Sequence, residues 1–542
     1  MKLIQGSWLA APLALLALAH PAAADTTTPQ ALKAARVLLI SVDGMHQQDL
    51  AYCLAHASCP NIAALAQTGV NYSAASTPGL SDSFPGLAAL FTGGSPKSAG
   101  LFYDVTYDRA LFAPSDVTCS GKPGWNVVFD ETTGIDGING GKLSHLDGGG
   151  NFNPQAIPHA LIAERCVAVY PHNYIKTNTV FEVIKQQRAG ARTAWTDKHA
   201  WAYDWLNGPS GKGVDDLGRT EINSIDAATN SDYSDVYTHT EVFDNLHLQI
   251  ILNQINGQDS TGRARAKVPT LFGTNFQTLS VAQKANHASG GGYKDAAFTP
   301  GSQVTAAISY IDGAIGQIVT ELNAKKLLAS TLVIVTAKHG QSPADPGILI
   351  KHGDTLTALL QSHHYLDADG NWGQANTKSG NLNDGSGVVA SGMVQTDDVG
   401  LIWLRDQSQL PQVVATLEAN KGCGATGICA DSPQAYILSG DQLAERFGDP
   451  ALGRTPDIIV QPNPGVIYSD SKKKDAEHGG NAADDRHVAL LISLPQLKPQ
   501  TNDSEVELTQ VAPTMLQVLG LNPMLLNAVK TEGTQALPGL GD

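Results

Sequence analysis

Short apolar runs closed by glycine, aspartate or histidine recur along this chain, and apolar residues at helical spacing fill the stretches between them. Val37-Leu38-Leu39-Ile40-Ser41-Val42 runs into Asp43-Gly44, and Thr331-Leu332-Val333-Ile334-Val335-Thr336-Ala337 runs into Lys338-His339-Gly340. Runs of this length, rich in β-branched residues and apolar on both alternations, predict strands buried on both faces. Val488-Ala489-Leu490-Leu491-Ile492 is a third. Helices are predicted from Pro60 through 68, where a proline opens the first turn, and over 302–328, where Val304, Ile308, Ile311, Ile315 and Ile318 repeat. A further helix fits Glu507 to Leu519, closed by Gly520. Ser81-Asp82-Ser83-Phe84-Pro85-Gly86 reads as a loop opening onto a helix that stops at Gly93.

Strands alternating with helices predict the α/β class with a mostly parallel central sheet. In such sheets ligands collect outside the carboxyl ends of the strands, which is where Asp43, Lys338 and His339 fall. Residues 105–170 carry many Gly, Asn and Asp and read as a loop-rich insertion. The strands around Val399–Leu404 and Asp457–Val460, with a helix over Leu410–Ala419, predict a small inserted α+β subdomain over 350–470. The main core then comprises 25–349 and 471–542.

Composition narrows the class. The chain has 542 residues, 42% of them hydrophobic, and a formal net charge of −16. That is ample for a large core, and it argues against a nucleic-acid partner, since no basic stripe is present. The one basic run, Lys472-Lys473-Lys474, reads as a solvated loop. Residues 1–24 pair Lys2 with an apolar stretch and end in Ala22-Ala23-Ala24, the pattern of a secretory signal peptide too short to span a membrane. The expectation is an exported protein without a membrane span, periplasmic or secreted. Six cysteines suit that setting, and their spacing favours Cys53–Cys59 and Cys423–Cys429, leaving Cys119–Cys166.

Four polar elements stand at strand or helix ends: Asp43-Gly44, Ser83-Phe84-Pro85, Lys338-His339-Gly340 and His478-Gly479-Gly480. Carboxylate and imidazole groups are ligands for zinc and related ions. A serine at a helix N-terminus suits attack on a phosphate, because free N–H groups and the helix dipole favour anions there. Taken singly, each element also fits an ordinary turn or cap.

Their order carries a resemblance. Val37–Gly44, Pro60–Gly69, Ser83-Phe84-Pro85, Leu90-Phe91-Thr92-Gly93-Gly94-Ser95-Pro96, Ile311-Asp312-Gly313, His339-Gly340, Thr455-Pro456-Asp457, His478-Gly479 and Thr509–Thr514 run in the order found in the type I phosphodiesterase/nucleotide pyrophosphatase branch of the alkaline phosphatase superfamily. The resemblance implies an alkaline-phosphatase-like α/β sandwich. It also implies a metal-dependent hydrolase of small-molecule phosphoesters, phosphodiesters first, with Ser83 as nucleophile forming a covalent phosphoenzyme. Divalent metal, zinc by type, would be held by Asp43, Ser83, His339 and His478.

Three departures alter this picture. Where the family has Asp-His-Gly, this chain has Lys338-His339-Gly340, and an ammonium is no metal ligand. Where the family has an Asp-x-x-x-His pair, the nearest segment is Asn275-Phe276-Gln277-Thr278-Leu279. The phosphate-contacting Asn after Phe-Pro is Gly86. Asn275 and Gly86 are therefore the substrate-binding positions to test. One reading keeps one ion and lets Lys338 steady the transferred group as a catalytic residue. A second keeps two ions with ligands recruited from Asp104, Asp197, His199 or Asp485. The alternatives in function are a sulfatase-like or phosphonate hydrolase, or a catalytically inert anion-binding protein of the same fold. Asp312 reads as structural, and the loop Asn207–Gly213 lacks the spacing of a Walker phosphate loop.

Overall fold

The computed structural model describes residues 32–134, 142–143, 152–363, 365, 392–404 and 406–540. The expected signal segment 1–24 and parts of the two expected insertions lie outside them.

An eight-stranded sheet forms the centre. Its strands are β1 (Arg36–Val42), β2 (Gly69–Tyr72), β3 (Ala194–Thr196), β4 (Asp216–Gly218), β5 (Leu271–Phe276), β6 (Thr331–Thr336), β7 (Leu490–Ser493) and β8 (Gln500–Asn502). They lie in the order β4-β3-β5-β1-β6-β7-β2-β8. Every pairing is parallel except those of β7, which runs antiparallel to β6 and β2. Leu38, Leu39, Ile334 and Val335 have no exposed surface, as expected where helices cover both faces. The architecture is the mixed α/β sandwich with a mostly parallel central sheet that the alternating pattern predicts.

Helix Ser302–Ala324 buries Val304, Ile308, Ile311, Ile315, Ile318 and Leu322 along one stripe. Each such side chain contributes about 1.5–3 kcal/mol through removal from water. On the same helix Asp312 accepts hydrogen bonds from the backbone N–H of Asn61 (3.1 Å) and Ile62 (2.8 Å), capping the helix Pro60–Ala66. Its role is structural.

A second, antiparallel sheet runs Gly392–Thr396, Gly400–Leu404, Ile458–Gln461, Tyr436–Ser439. Period-two alternation divides its side chains. Val394, Ile402, Ile458 and Val460 pack under the helices Thr355–Ser362 and Leu410–Ala419. Met393, Leu401, Trp403 and Ile459 pack against Phe102, Tyr103 and Phe447. The second sheet thereby braces the Tyr103 loop, which borders the site. The three disulfides are Cys53–Cys59 and Cys423–Cys429, the pairs favoured by spacing, and Cys119–Cys166, the pair they leave.

Candidate active site

Four neighbouring strands end at one place. β1 delivers Asp43, β6 delivers Lys338 and His339, β3 delivers Asp197 and Lys198, and β5 leads into Gln277. Ser83 opens the ten-residue helix Ser83–Thr92 facing them. That helix is capped by Asp82, whose Oδ1 accepts from Phe84 N–H at 3.1 Å.

Two glycines make the convergence possible. Gly44 turns the chain after Asp43 with φ +77°, and a Cβ there would lie 2.3 Å from Gln283 Oε1. Gly86 packs against the end of β6, where a Cβ would lie 2.0 Å from the Lys338 carbonyl oxygen. Its N–H already donates to Asp82 O within the helix (2.9 Å). The position is closed by backbone, which accounts for the missing asparagine and leaves Gly86 no group to offer a phosphate.

Asp43 is the hub. Its Oδ1 lies 2.9 Å from His339 Nε2. Its Oδ2 accepts from Gln277 Nε2 (2.6 Å) and lies 3.5 Å from Lys338 Nζ and 3.9 Å from Lys198 Nζ. Burial alone would raise this carboxyl, but Lys338, His339 and Lys198 outweigh it and hold Asp43 well below the usual carboxylate range. Lys338 has no exposed surface, lies 3.6 Å from Asp197 Oδ1 and donates to Tyr203 Oη at 3.2 Å.

Ser83 Oγ sits between two nitrogens. Lys198 Nζ donates to it at 3.1 Å, and His339 Nε2 lies 3.2 Å away. His339 Nδ1 faces Gly340 O at 2.9 Å. Nε2 lies nearer Asp43 Oδ1 (2.9 Å) than Ser83 Oγ, so it accepts from the Ser83 hydroxyl only with the ring proton on Nδ1. Burial lowers the basicity of His339, against the pull of Asp43. For Lys198 burial also acts downward, and Asp43, Asp104, Asp82 and Asp197 reverse it, so the amine is held protonated.

His478 lies tilted against His339, ring centroids 4.1 Å apart. Its Nδ1 lies 3.8 Å from Asp82 Oδ2, and both atoms are buried without a hydrogen-bond partner. Burial, then the charges of Lys284 and His339, push His478 far below the usual imidazole range. Burial and Asp104 push Asp82 well above the usual carboxyl range. The rim opens at Lys198 and His478, whose side chains are 14% and 11% exposed.

The structure therefore brings together Asp43, Ser83, Lys338, His339 and His478. The amide of Asn275 is buried with neither atom hydrogen-bonded, and the amide that reaches Asp43 belongs to Gln277. Of the recruited-ligand candidates, Asp197 serves Lys338 and Trp195 Nε1, His199 pairs with Glu221 at 2.7 Å, and Asp485 pairs with buried Asp398. Asp104 acts through its charge on Asp82 and Lys198. Sequence reasoning missed Lys198 as a site residue. The signal was weak, since Trp195-Thr196-Asp197-Lys198 ends a strand of only three residues.

The donor set does not fit resident divalent ions. Two lysines flank the carboxylate and the serine oxygen that would be ligands, and Gln277 stands near the missing acidic pair. Among the described residues no cluster of three or more His, Cys, Asp or Glu side chains is disposed to hold a metal.

No curated protein matches the sequence. The fold is similar to murine ectonucleotide pyrophosphatase/phosphodiesterase 5, with a TM-score of 0.51 at 14% identity, covering 90% of this chain and 96% of that one. An inactive variant of the same murine protein in complex with AMP is similar at TM-score 0.50 and 14% identity, with the same coverage. At that identity the likeness concerns the fold. The family model "Type I phosphodiesterase / nucleotide pyrophosphatase" matches residues 37–484. The chain belongs to the type I phosphodiesterase/nucleotide pyrophosphatase family, hydrolases of phosphoester bonds in the alkaline phosphatase superfamily.

Proposed function

We propose that this protein is an exported hydrolase of small-molecule phosphodiesters that uses Ser83 as nucleophile. The observation that carries the reading is the placement of Ser83 Oγ at a helix N-terminus, 3.2 Å from His339 Nε2, the nitrogen that Asp43 Oδ1 also faces at 2.9 Å. Ser83 Oγ attacks phosphorus, its proton passes to His339 Nε2, and the leaving oxygen departs with the bonding pair and takes a proton from water. Water then hydrolyses the phosphoserine and regenerates the hydroxyl. Once protonated, Nε2 faces Asp43 Oδ1 at 2.9 Å, a charge-assisted contact that stabilises the imidazolium. Lys338, fixed between Asp43 and Asp197, supplies positive potential at the strand end.

AMP in the murine neighbour's structure supports a nucleotide-type ester as the first substrate to try. Three disulfides support export to an oxidising compartment. No helix among the described residues is long and apolar enough to cross a membrane.

The test is turnover of bis(p-nitrophenyl) phosphate and of a nucleotide diester by wild type and Ser83→Ala. Loss of about a thousandfold or more in the variant, with a phosphoserine-83 adduct detected in quenched wild-type enzyme, is the expected result. Unchanged turnover in the variant excludes Ser83. Turnover of sulfate esters or phosphonates alone replaces the substrate class.

A further inference from the structure

We propose that Lys198 is a catalytic residue and that, together with Lys338, it takes over the charge work of metal ions, so that phosphoester cleavage at Ser83 proceeds without a bound divalent cation. The inference rests on the reading of Ser83 as nucleophile.

Three observations carry it. First, the shortest contact of Lys198 Nζ is with a hydroxyl rather than a carboxylate: 3.1 Å to Ser83 Oγ against 3.9 Å to Asp43 Oδ2. A lysine present only to balance buried acid would sit closest to the acid. Second, the two ammoniums and Gln277 crowd one carboxylate oxygen, Asp43 Oδ2, and so occupy the electropositive side of the hub that a cation would otherwise share. Third, each lysine is positioned by its own strand end. Asp197 accepts the backbone N–H of Lys198 at 2.8 Å and also faces Lys338, which ties β3 and β6 into one cationic clamp.

The chemistry follows from that geometry. As Oγ attacks, negative charge grows first on the serine oxygen and then on the phosphoryl oxygens. An ammonium donating to Oγ stabilises the developing alkoxide, as a Lewis acid would, while His339 Nε2 takes the proton. The Oγ–P bond forms, the P–O bond to the leaving group breaks, and no redox partner is required. Lys198 stands at the open rim, where it also meets an arriving anionic ester.

The experiment uses the full mature enzyme. Metal content is measured by mass spectrometry, and turnover of bis(p-nitrophenyl) phosphate is compared before and after exhaustive chelation and with added zinc, manganese or calcium. In parallel, the rate at which an alkyl fluorophosphonate labels Ser83, with loss of fluoride, is followed by intact mass. Chelated wild type should keep its turnover within about twofold and label at an unchanged rate. Lys198→Met should label about a hundredfold more slowly, the scale of losing one oxyanion-type donor, and Lys198→Arg should recover part of that rate. Turnover lost on chelation and restored by metal overturns the inference and leaves the serine hydrolase reading intact. Full labelling rates in both Lys198 variants also overturn it. Should Lys198→Met fail to fold, the chelation arm and Lys198→Arg decide the matter. Wild type inert toward diesters under every metal condition, and unlabelled, overturns the hydrolase reading itself.

Discussion

Two neighbourhoods meet at the strand ends, and they are built in opposite ways. Around Asp43 and Ser83 charges are matched: the carboxylate faces two lysines, a glutamine amide and an imidazole, and the serine oxygen lies between two nitrogens. A few ångströms away, His478 Nδ1 and Asp82 Oδ2 are equally buried yet unpartnered, 3.8 Å apart. Burial keeps both of these side chains toward their uncharged forms, whereas ion pairing keeps Asp43 charged. Where the resemblance leads one to expect an acid at 338 and an Asp-x-x-x-His pair near 275, this chain sets lysines and a glutamine around Asp43, on the Ser83 side. The proposed chemistry accordingly sits on the matched side.

The largest break in that contrast comes from Lys338. Lys338→Met strands Asp43 and Asp197 without their shared cation, so it should cost about 3–5 kcal/mol of stability, read by denaturant titration. It should also lower turnover by about 10²–10³-fold. Stability near wild type in this variant would show that Lys198 alone neutralises both acids.

Next in size is a pH effect beneath the matched side. Asp244 caps the turn that presents Gln277 to Asp43, accepting from the N–H groups of Gln277 (2.9 Å) and Thr278 (2.8 Å). Burial pushes its carboxyl up to about 7, against those hydrogen bonds. The folded state thus holds this proton more tightly than the unfolded chain. The contribution is complete below about pH 4 and is lost as pH rises through about 7, a decline of a few kcal/mol at most. Buried Asp398, pushed up to about 6, has the same sign. Thermal melts from pH 4 to 8 should show a falling component that Asp244→Asn flattens; an unchanged slope removes Asp244 from the account.

The smallest effect is expected on the unmatched side. Asp82→Asn replaces a carboxyl already biased toward its neutral form and keeps an oxygen for Phe84 N–H. Stability at pH 7 should change by less than about 1 kcal/mol. A loss comparable to Lys338→Met would mean that Asp82 is ionised and the contrast false.

Legibility in the sequence followed the same physics. Asp43, Lys338 and His339 were readable because long apolar runs mark β1 and β6, and the helix after Ser83 announces itself by its glycine stop. Lys198 was not, because β3 is only three residues long, Ala194–Thr196, and gives too short a run to flag its end. Gln277 was displaced by two positions because spacing pointed to Asn275, while the chain turns into a helix after Phe276 and brings the later amide to Asp43. The helix Tyr237–Ile255 escaped notice because its buried positions include Asp244, His247, Asn253 and Gln254, polar residues that blur the apolar stripe.

The glycine at position 86 bears on the mutational history open to this site. With the Lys338 carbonyl where a side chain would start, restoring an asparagine at 86 is obstructed as long as the end of β6 keeps its present course. Restoring an aspartate at 338 alone would set a third buried acid beside Asp43 and Asp197. An asparagine at 86 is opposed by backbone and an aspartate at 338 by buried charge, so the two positions resist a metal-type site for separate reasons.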